Sequence, residues 1–216
     1  MTIIAVAGSK GGIGKTTSSL NIAGEMKPQQ VIDKDVSGGL SILNNFRDDN
    51  KKLPIRTPET AEELLELLQQ GEKNGWLTII DCGGFDSNLN RIAIASSDLV
   101  IIPSNENPTE LIGLRQFEDI LIEVSQETGR HITGHVFLSK VNPNQKHFVE
   151  MENIMEHASH LKLLKSRIPT RSDFTVNQKR GLGVTELIHS ASTSAGKEMK
   201  ALCEEMRQII ENGQEE

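Results

Sequence analysis

Gly8 to Thr17, "GSKGGIGKTT", follows the apolar run Ile3–Ala7 and leads into a segment of helical character, Lys15–Met26. A strand, a glycine-rich turn and a helix form the setting in which such a stretch cradles phosphate. Gly11, Gly12 and Gly14 let backbone N–H groups turn inward with no Cβ in the way, and the helix start adds its positive dipole end. Lys15 is placed to bridge the β- and γ-phosphates, the Thr16 hydroxyl to ligate Mg²⁺, and Thr17 to reach the α-phosphate. The spelling departs from the common phosphate loop, in which Gly and four residues precede Gly-Lys-Ser/Thr. The first glycine of that pattern falls on Ser9, and an additional lysine, Lys10, follows it.

A nucleotide hydrolase also needs carboxylates at strand ends beside the loop. "VIDKD" supplies Asp33 and Asp35, and "LTIIDCGG" supplies Asp81 in the Walker B position, which would hold Mg²⁺ through its water shell. Gly83-Gly84 then suits a loop whose backbone amide can approach the γ-phosphate. A cap or turn aspartate is the competing reading for each of the three.

Outward from these motifs, short runs rich in Ile and Val alternate with helical patterns. Strands are expected at Ile3–Ala7, Gln30–Asp33, Leu77–Asp81, Leu99–Pro103, Thr133–Ser139 and Leu164–Ile168. Helices are expected at Lys15–Met26, Thr60–Gln70, Asn88–Ala95, Pro108–Thr128, Lys146–His157 and Gly196–Asn212. Continuous apolar strands are buried on both faces, so the alternation predicts an α/β fold of the P-loop NTPase type. Its central sheet would be mostly parallel, with helices on both faces. One domain over 1–212 is expected, with a frayed tail at 213–216 and a long exposed loop at Asp48–Pro58. In the last helix Met199, Leu202, Cys203, Met206, Ile209 and Ile210 make one apolar stripe on an otherwise charged surface, which suits packing.

Composition narrows the function. A formal net charge of −7 gives the whole molecule no attraction for nucleic acid or anionic lipid, so any such binding needs a local basic patch. Cys82 and Cys203 have no metal-ligand or redox spacing, and no secretory leader or membrane-spanning run is present, so a cytoplasmic protein is expected.

Lys10-Gly11-Gly12-Ile13-Gly14-Lys15-Thr16-Thr17, Asp33-Lys34-Asp35 and Ile80-Asp81-Cys82-Gly83-Gly84 together resemble the ParA/MinD family, the deviant Walker A ATPases that position DNA, division proteins or other cargo. The resemblance runs through nearly the whole chain and includes "SDLVIIPSNENPTEL". It implies ATP/ADP and Mg²⁺ as ligands, and a homodimer in which Lys10 reaches the phosphates held by the other subunit. It also implies that Asp35 orients the attacking water, that Asp33 supports the metal side, and that Lys140, Asn142 and Pro169 contact the adenine. Two departures stand out: Val36-Ser37 where many relatives have Pro-Gln, and Gly83-Gly84 where many have Pro-Pro.

Absences select among family members. With no tyrosine, the chain lacks the tyrosine cluster of the kinase branch, and Cys82 has no companion with which to hold an iron–sulfur cluster. The acidic final helix argues against membrane attachment, and the chain opens on its first strand with no helix-turn-helix segment ahead of it. What remains is similar to a small plasmid-type partition ATPase, nucleoid-associated when ATP-bound. Such a protein binds non-specific DNA as the ATP dimer and is stimulated by a ParB-like centromere-binding adaptor. Lys140–Arg180 holds eight Lys/Arg against four acids, which makes Lys165, Arg167, Arg171, Lys179 and Arg180 the expected DNA contacts. Scattered solubilising charge is the alternative for that patch. For the whole chain the alternatives are a positioner of a protein compartment or conjugation machinery, and a small-molecule ATP-dependent ligase on the same scaffold.

Overall fold

The computed structural model describes residues 1–8, 12–84 and 86–213. Among them the strands are β1 (Thr2–Val6), β2 (Gln30–Asp33), β3 (Ile55–Arg56), β4 (Leu77–Asp81), β5 (Leu99–Ser104), β6 (Gly134–Val141) and β7 (Leu161–Pro169). The helices are α1 (Lys15–Met26), α2 (Gly39–Asn45), α3 (Ala61–Asn74), α4 (Asn88–Ala95), α5 (Pro108–Thr128), α6 (Val149–His157), α7 (Ser172–Gln178), α8 (Ile188–Ala191) and α9 (Ser194–Gly213). The seven strands form one sheet in the order β3-β2-β4-β1-β5-β6-β7. Every pairing is parallel, so the mostly parallel expectation becomes an all-parallel sheet.

β1 shows why these strands read as unbroken apolar runs. Ile3 and Ala5 point into the core layer shared with α3, α4, α5 and α6, while Ile4 and Val6 point into the opposite layer with α1, α2 and α9. Both faces are buried, so period-2 alternation puts an apolar residue at every position. The stripe on α9 behaves as expected, with Met199, Leu202, Cys203 and Met206 buried. No helix among the described residues is long and apolar enough to cross a membrane.

Several elements lie where the sequence suggested loop. The Asp48–Pro58 stretch contains a 3-10 turn at Asp49–Lys51 and the edge strand β3, which pairs with β2 through Val31–Ile55 and Ile32–Arg56. α2, α7 and α8 are short and polar and carry no clear apolar stripe. Helix α6 starts at Val149, after the turn that Asn142 helps to close, and not at Lys146. Helix α9 runs through Gly213, and residues 214–216 of the expected tail lie outside the described residues.

Two contacts tie α2 to the segment after α7. Gly181 has φ 66°, and a Cβ there would strike the Leu43 carbonyl oxygen, so the backbone can approach α2 only at glycine. Close by, Arg47 makes a two-pronged pair with Glu186 at 2.8 and 2.7 Å, the arginine side chain only 1% exposed. The Gly183 N–H also donates to Glu186, at 2.6 Å. Removing one partner of a buried pair leaves the other charge stranded, at a cost of about 3 kcal/mol or more. Glu186→Ala should therefore lower the urea midpoint clearly, and the double change Arg47→Met with Glu186→Leu should recover much of the loss. An unchanged midpoint in Glu186→Ala would show that the pair does not hold α2.

Candidate functional site

Strand register assembles the site. Asp33 and Val6 both stand opposite Asp81, so the ends of β2, β4 and β1 line up side by side where the phosphate loop begins. The strand order reverses direction around β1, and open α/β sheets bind ligands in the crevice at such a point, beyond the carboxyl ends of the strands. At the start of α1, Gly14 takes φ 105°, a conformation that favours glycine, and its carbonyl accepts the Ser18 N–H at 2.8 Å. No side chain caps this helix, which leaves its first-turn donors available to an anion.

Lys15 is buried beneath the loop. Burial pushes its ammonium pKa down, while Asp81 and Asp35 pull it back up. Asp81 is fully buried and accepts from the Ser19 hydroxyl at 2.8 Å through Oδ1, while its buried Oδ2 has no hydrogen-bond partner. Burial raises the Asp81 pKa to about 7; the Asp33 charge adds to this, while Ser19, Thr16 and Lys15 oppose it. A buried carboxylate oxygen left without a donor, beside the Thr16 hydroxyl, is the hard-oxygen environment that a magnesium ion requires. Thr16 and Asp81 therefore fit the metal role expected of them.

Asp33, expected to support the metal side, is held by protein donors. Its Oδ2 accepts both the backbone N–H and the hydroxyl of Ser41 at 2.8 and 2.6 Å, and Oδ1 accepts the Asp35 N–H at 3.2 Å. Both oxygens serve protein donors, so the carboxylate anchors the start of α2 beside the metal side. Asp35 in turn accepts from Ser37 twice, from N–H at 2.9 Å and from the hydroxyl at 2.6 Å. Burial pushes the Asp35 pKa up, but the Ser37 bonds and the Lys15 charge outweigh it and hold the carboxyl below its usual range. Ser37, one of the two departures noted in the sequence, is thus what orients Asp35. Between the two aspartates, the Lys34 ammonium donates to the Pro58 carbonyl.

Beside Gly14 opens a cleft of about 280 Å³. Of the residues expected at the adenine, Lys140 and Pro169 line it, together with Thr17, Asn21, Phe174 and Gln178. Asn142 does not; its side chain closes a turn by accepting the Asn144 N–H at 2.9 Å. Lys140 sits at an irregularity in β6 with φ 57°, and its ammonium donates to the Gly12 carbonyl at 2.6 Å, which couples the cleft to the phosphate loop. Phe174 and Gln178 escaped the sequence because "SDFTVNQ" has no pattern that marks it as the helix α7. Lys10 and Gly11 lie outside the described residues, whereas Ile13 is buried under the loop.

The expected DNA contacts do not form one uniform set. Arg171 spends its guanidinium on Glu198 through two bonds of 2.7 and 2.6 Å. Arg167 donates to the Gln145 carbonyl at 2.6 Å and lies over the Phe148 ring. Lys165 is exposed beside Glu205, which accepts its backbone N–H at 2.8 Å. Lys179 and Arg180, at the end of α7, are both exposed.

Residues 4–184 match the family model described as the CobQ/CobB/MinD/ParA nucleotide binding domain. The chain is similar to a ParA protein of Rhizobium radiobacter, 26% identical over 147 residues that cover 66% of each chain, just under two thirds of that relative. It is similar along almost its whole length to the maintenance of carboxysome distribution protein A of Halothiobacillus neapolitanus (strain ATCC 23641 / c2), 21% identical over 96% of this chain and 94% of the relative. In three dimensions it resembles the septum site-determining protein MinD with Mg-ADP from Pyrococcus horikoshii OT3, with a TM-score of 0.67 at 18% identity over 98% of both chains. With its all-parallel sheet, its phosphate loop after β1 and this match over most of its length, the chain belongs to the CobQ/CobB/MinD/ParA nucleotide-binding family, with the deviant loop of the ParA/MinD branch.

Proposed function

We propose that this chain is a partition ATPase: ATP closes it into a homodimer, the dimer holds DNA without sequence preference, and hydrolysis resets it. The observation that carries this reading is the buried Lys15 flanked by Asp81, at the end of β4, and Asp35, two residues beyond β2, with one Asp81 oxygen free of protein donors. The loop amides and Lys15 bind the phosphates, the cleft beside Lys140 and Phe174 takes the nucleoside, and Asp35 orients a water. Thr16 and Asp81 would hold Mg²⁺, which supplies charge neutralisation at the phosphates when bound. Lys10 completes the partner's site, and a ParB-like centromere-binding adaptor accelerates turnover. ATP favours the dimer only through contacts that it makes better in that state.

For the DNA surface we favour Lys179 and Arg180, with Lys165, over Arg171 and Arg167, whose guanidinium groups already serve the fold. The relative named for carboxysome distribution matches almost the full length and supports a second reading, the same switch with a protein compartment as cargo.

A titration of non-specific duplex DNA with ATP, ADP or no nucleotide, at two salt concentrations, tests the proposal. Binding should require ATP and weaken steeply with salt, and Lys179→Glu with Arg180→Glu should weaken it without changing nucleotide affinity. Equal DNA binding in all three nucleotide conditions, or none in any, would contradict the DNA role. None in any, with ATP turnover intact, would turn attention to the protein-cargo reading.

A further inference from the structure

The loop after Asp81 is clasped by the first turn of α4, and one of the clasps falls on the Gly83 main chain. Asn90, 6% exposed, brackets Gly83: its Oδ1 accepts the Gly83 N–H at 3.3 Å and its Nδ2 donates to the Gly83 carbonyl at 3.4 Å. Ser87 caps the helix and accepts the Asn90 N–H, which fixes where that side chain starts. The next residue, Arg91, takes both oxygens of Asp86 at 2.8 and 2.7 Å and reaches Glu123 on α5 at 2.7 Å. Two successive residues of α4 thus grip the loop, one at Gly83 and one at Asp86, and both of these loop residues border a narrow crevice shared with Gly8, Ile94, Phe117 and Ile120.

The two grips differ in strength. The Arg91 contacts are short and charge-assisted, whereas the Asn90 bonds are longer than the usual 2.7–3.2 Å for N–H···O. A phosphate oxygen is a charged acceptor and makes a bond roughly twice as strong as a neutral amide does. The Gly83 N–H belongs to the peptide that joins it to Cys82, and the glycine puts no Cβ on its side of that peptide to hinder a turn. The two bonds to Gly83 are therefore the weaker of the two grips.

We propose that Asn90 is a positioning residue whose two bonds hold the Gly83 main chain, so that a nucleoside triphosphate must take the Gly83 N–H from it and a diphosphate need not. This inference rests on the ATPase reading of the site and adds to it the residue that sets the preference between tri- and diphosphate. A ligand that needs the open bracket binds more weakly by the fraction of molecules in which it is open, while one that ignores the bracket is unaffected.

The test compares affinities for a non-hydrolysable ATP analogue and for ADP, both with Mg²⁺, in the parent chain, Asn90→Ala and Asn90→Asp, with thermal melting as a check on folding. Asn90→Ala removes the competitor and should tighten the analogue about three- to tenfold while leaving ADP within about twofold. Asn90→Asp keeps an acceptor for the N–H and adds a negative charge facing the third phosphate, so it should weaken the analogue and leave ADP unchanged. Asn90→Asp is nearly isosteric and carries the test if the alanine variant does not fold. An analogue-to-ADP ratio that stays constant in the folded variants overturns the inference and leaves nucleotide binding standing. A parent chain that binds neither nucleotide overturns the functional reading and the inference with it.

Discussion

Asp35→Ala should bind ATP with little change in affinity and turn it over about 100-fold more slowly or worse, accumulating as an ATP-bound dimer on DNA. The expectation follows from where the carboxylate stands. The two Ser37 donors and the Lys15 charge keep it ionised at neutral pH despite partial burial, and its backbone N–H is tied to Asp33. A carboxylate fixed in this way can orient and polarise a water, and on the proposed reading it contributes little to holding the phosphates, a task that falls to the loop and Lys15. Single-turnover hydrolysis with pre-bound ATP separates the two effects. Parent-like turnover in Asp35→Ala would remove Asp35 from the chemistry, whereas lost ATP binding would give it a part in the ground state instead. Ser37→Ala offers a graded companion, because it frees Asp35 from its hydroxyl donor without deleting the carboxylate.

Much of the fold was legible because a sheet buried on both faces leaves an apolar residue at each strand position, as at Ile3–Val6 and Ile79–Ile80. Helices with clear starts or long stripes, α1, α4 and α5, fall where the pattern placed them. Helix α2 was hidden because it begins on Gly38-Gly39 and leaves Ile42 and Phe46 exposed, so nothing in its sequence marks a buried face. Strand β3 is only two residues long and gains its place from pairing with β2, a long-range fact.

The site divides in the same way. Lys15 and Thr16 stand in one spelled motif and Asp81 in another, and the structure brings them together. The residues that tune them are found only in three dimensions. Ser19 meets Asp81 across 62 residues of sequence, Ser41 satisfies Asp33, and Asn90 brackets Gly83. A serine near a carboxylate has no signature until the chain has folded. Arg171 teaches the converse: a count of basic residues cannot tell a cation that faces solvent from one paired with Glu198.

The second large effect concerns Lys10, the residue that set the loop apart from the common spelling. On the proposed reading Lys15 binds the nucleotide within one subunit, and the second lysine in the same loop acts on a second set of phosphates. Lys10→Ala should therefore bind ATP within a few-fold of the parent, remain monomeric, and lose ATP-dependent DNA binding, because a dimer that doubles the basic surface never forms. The most direct measurement is the solution mass of the parent chain and of Lys10→Ala, each with Mg²⁺ and a non-hydrolysable ATP analogue, and again with ADP. The account predicts that the parent doubles its mass with the analogue alone and that Lys10→Ala keeps the monomer mass throughout. A parent that stays monomeric with the analogue, or a Lys10→Ala chain that dimerises as readily as the parent, would contradict it.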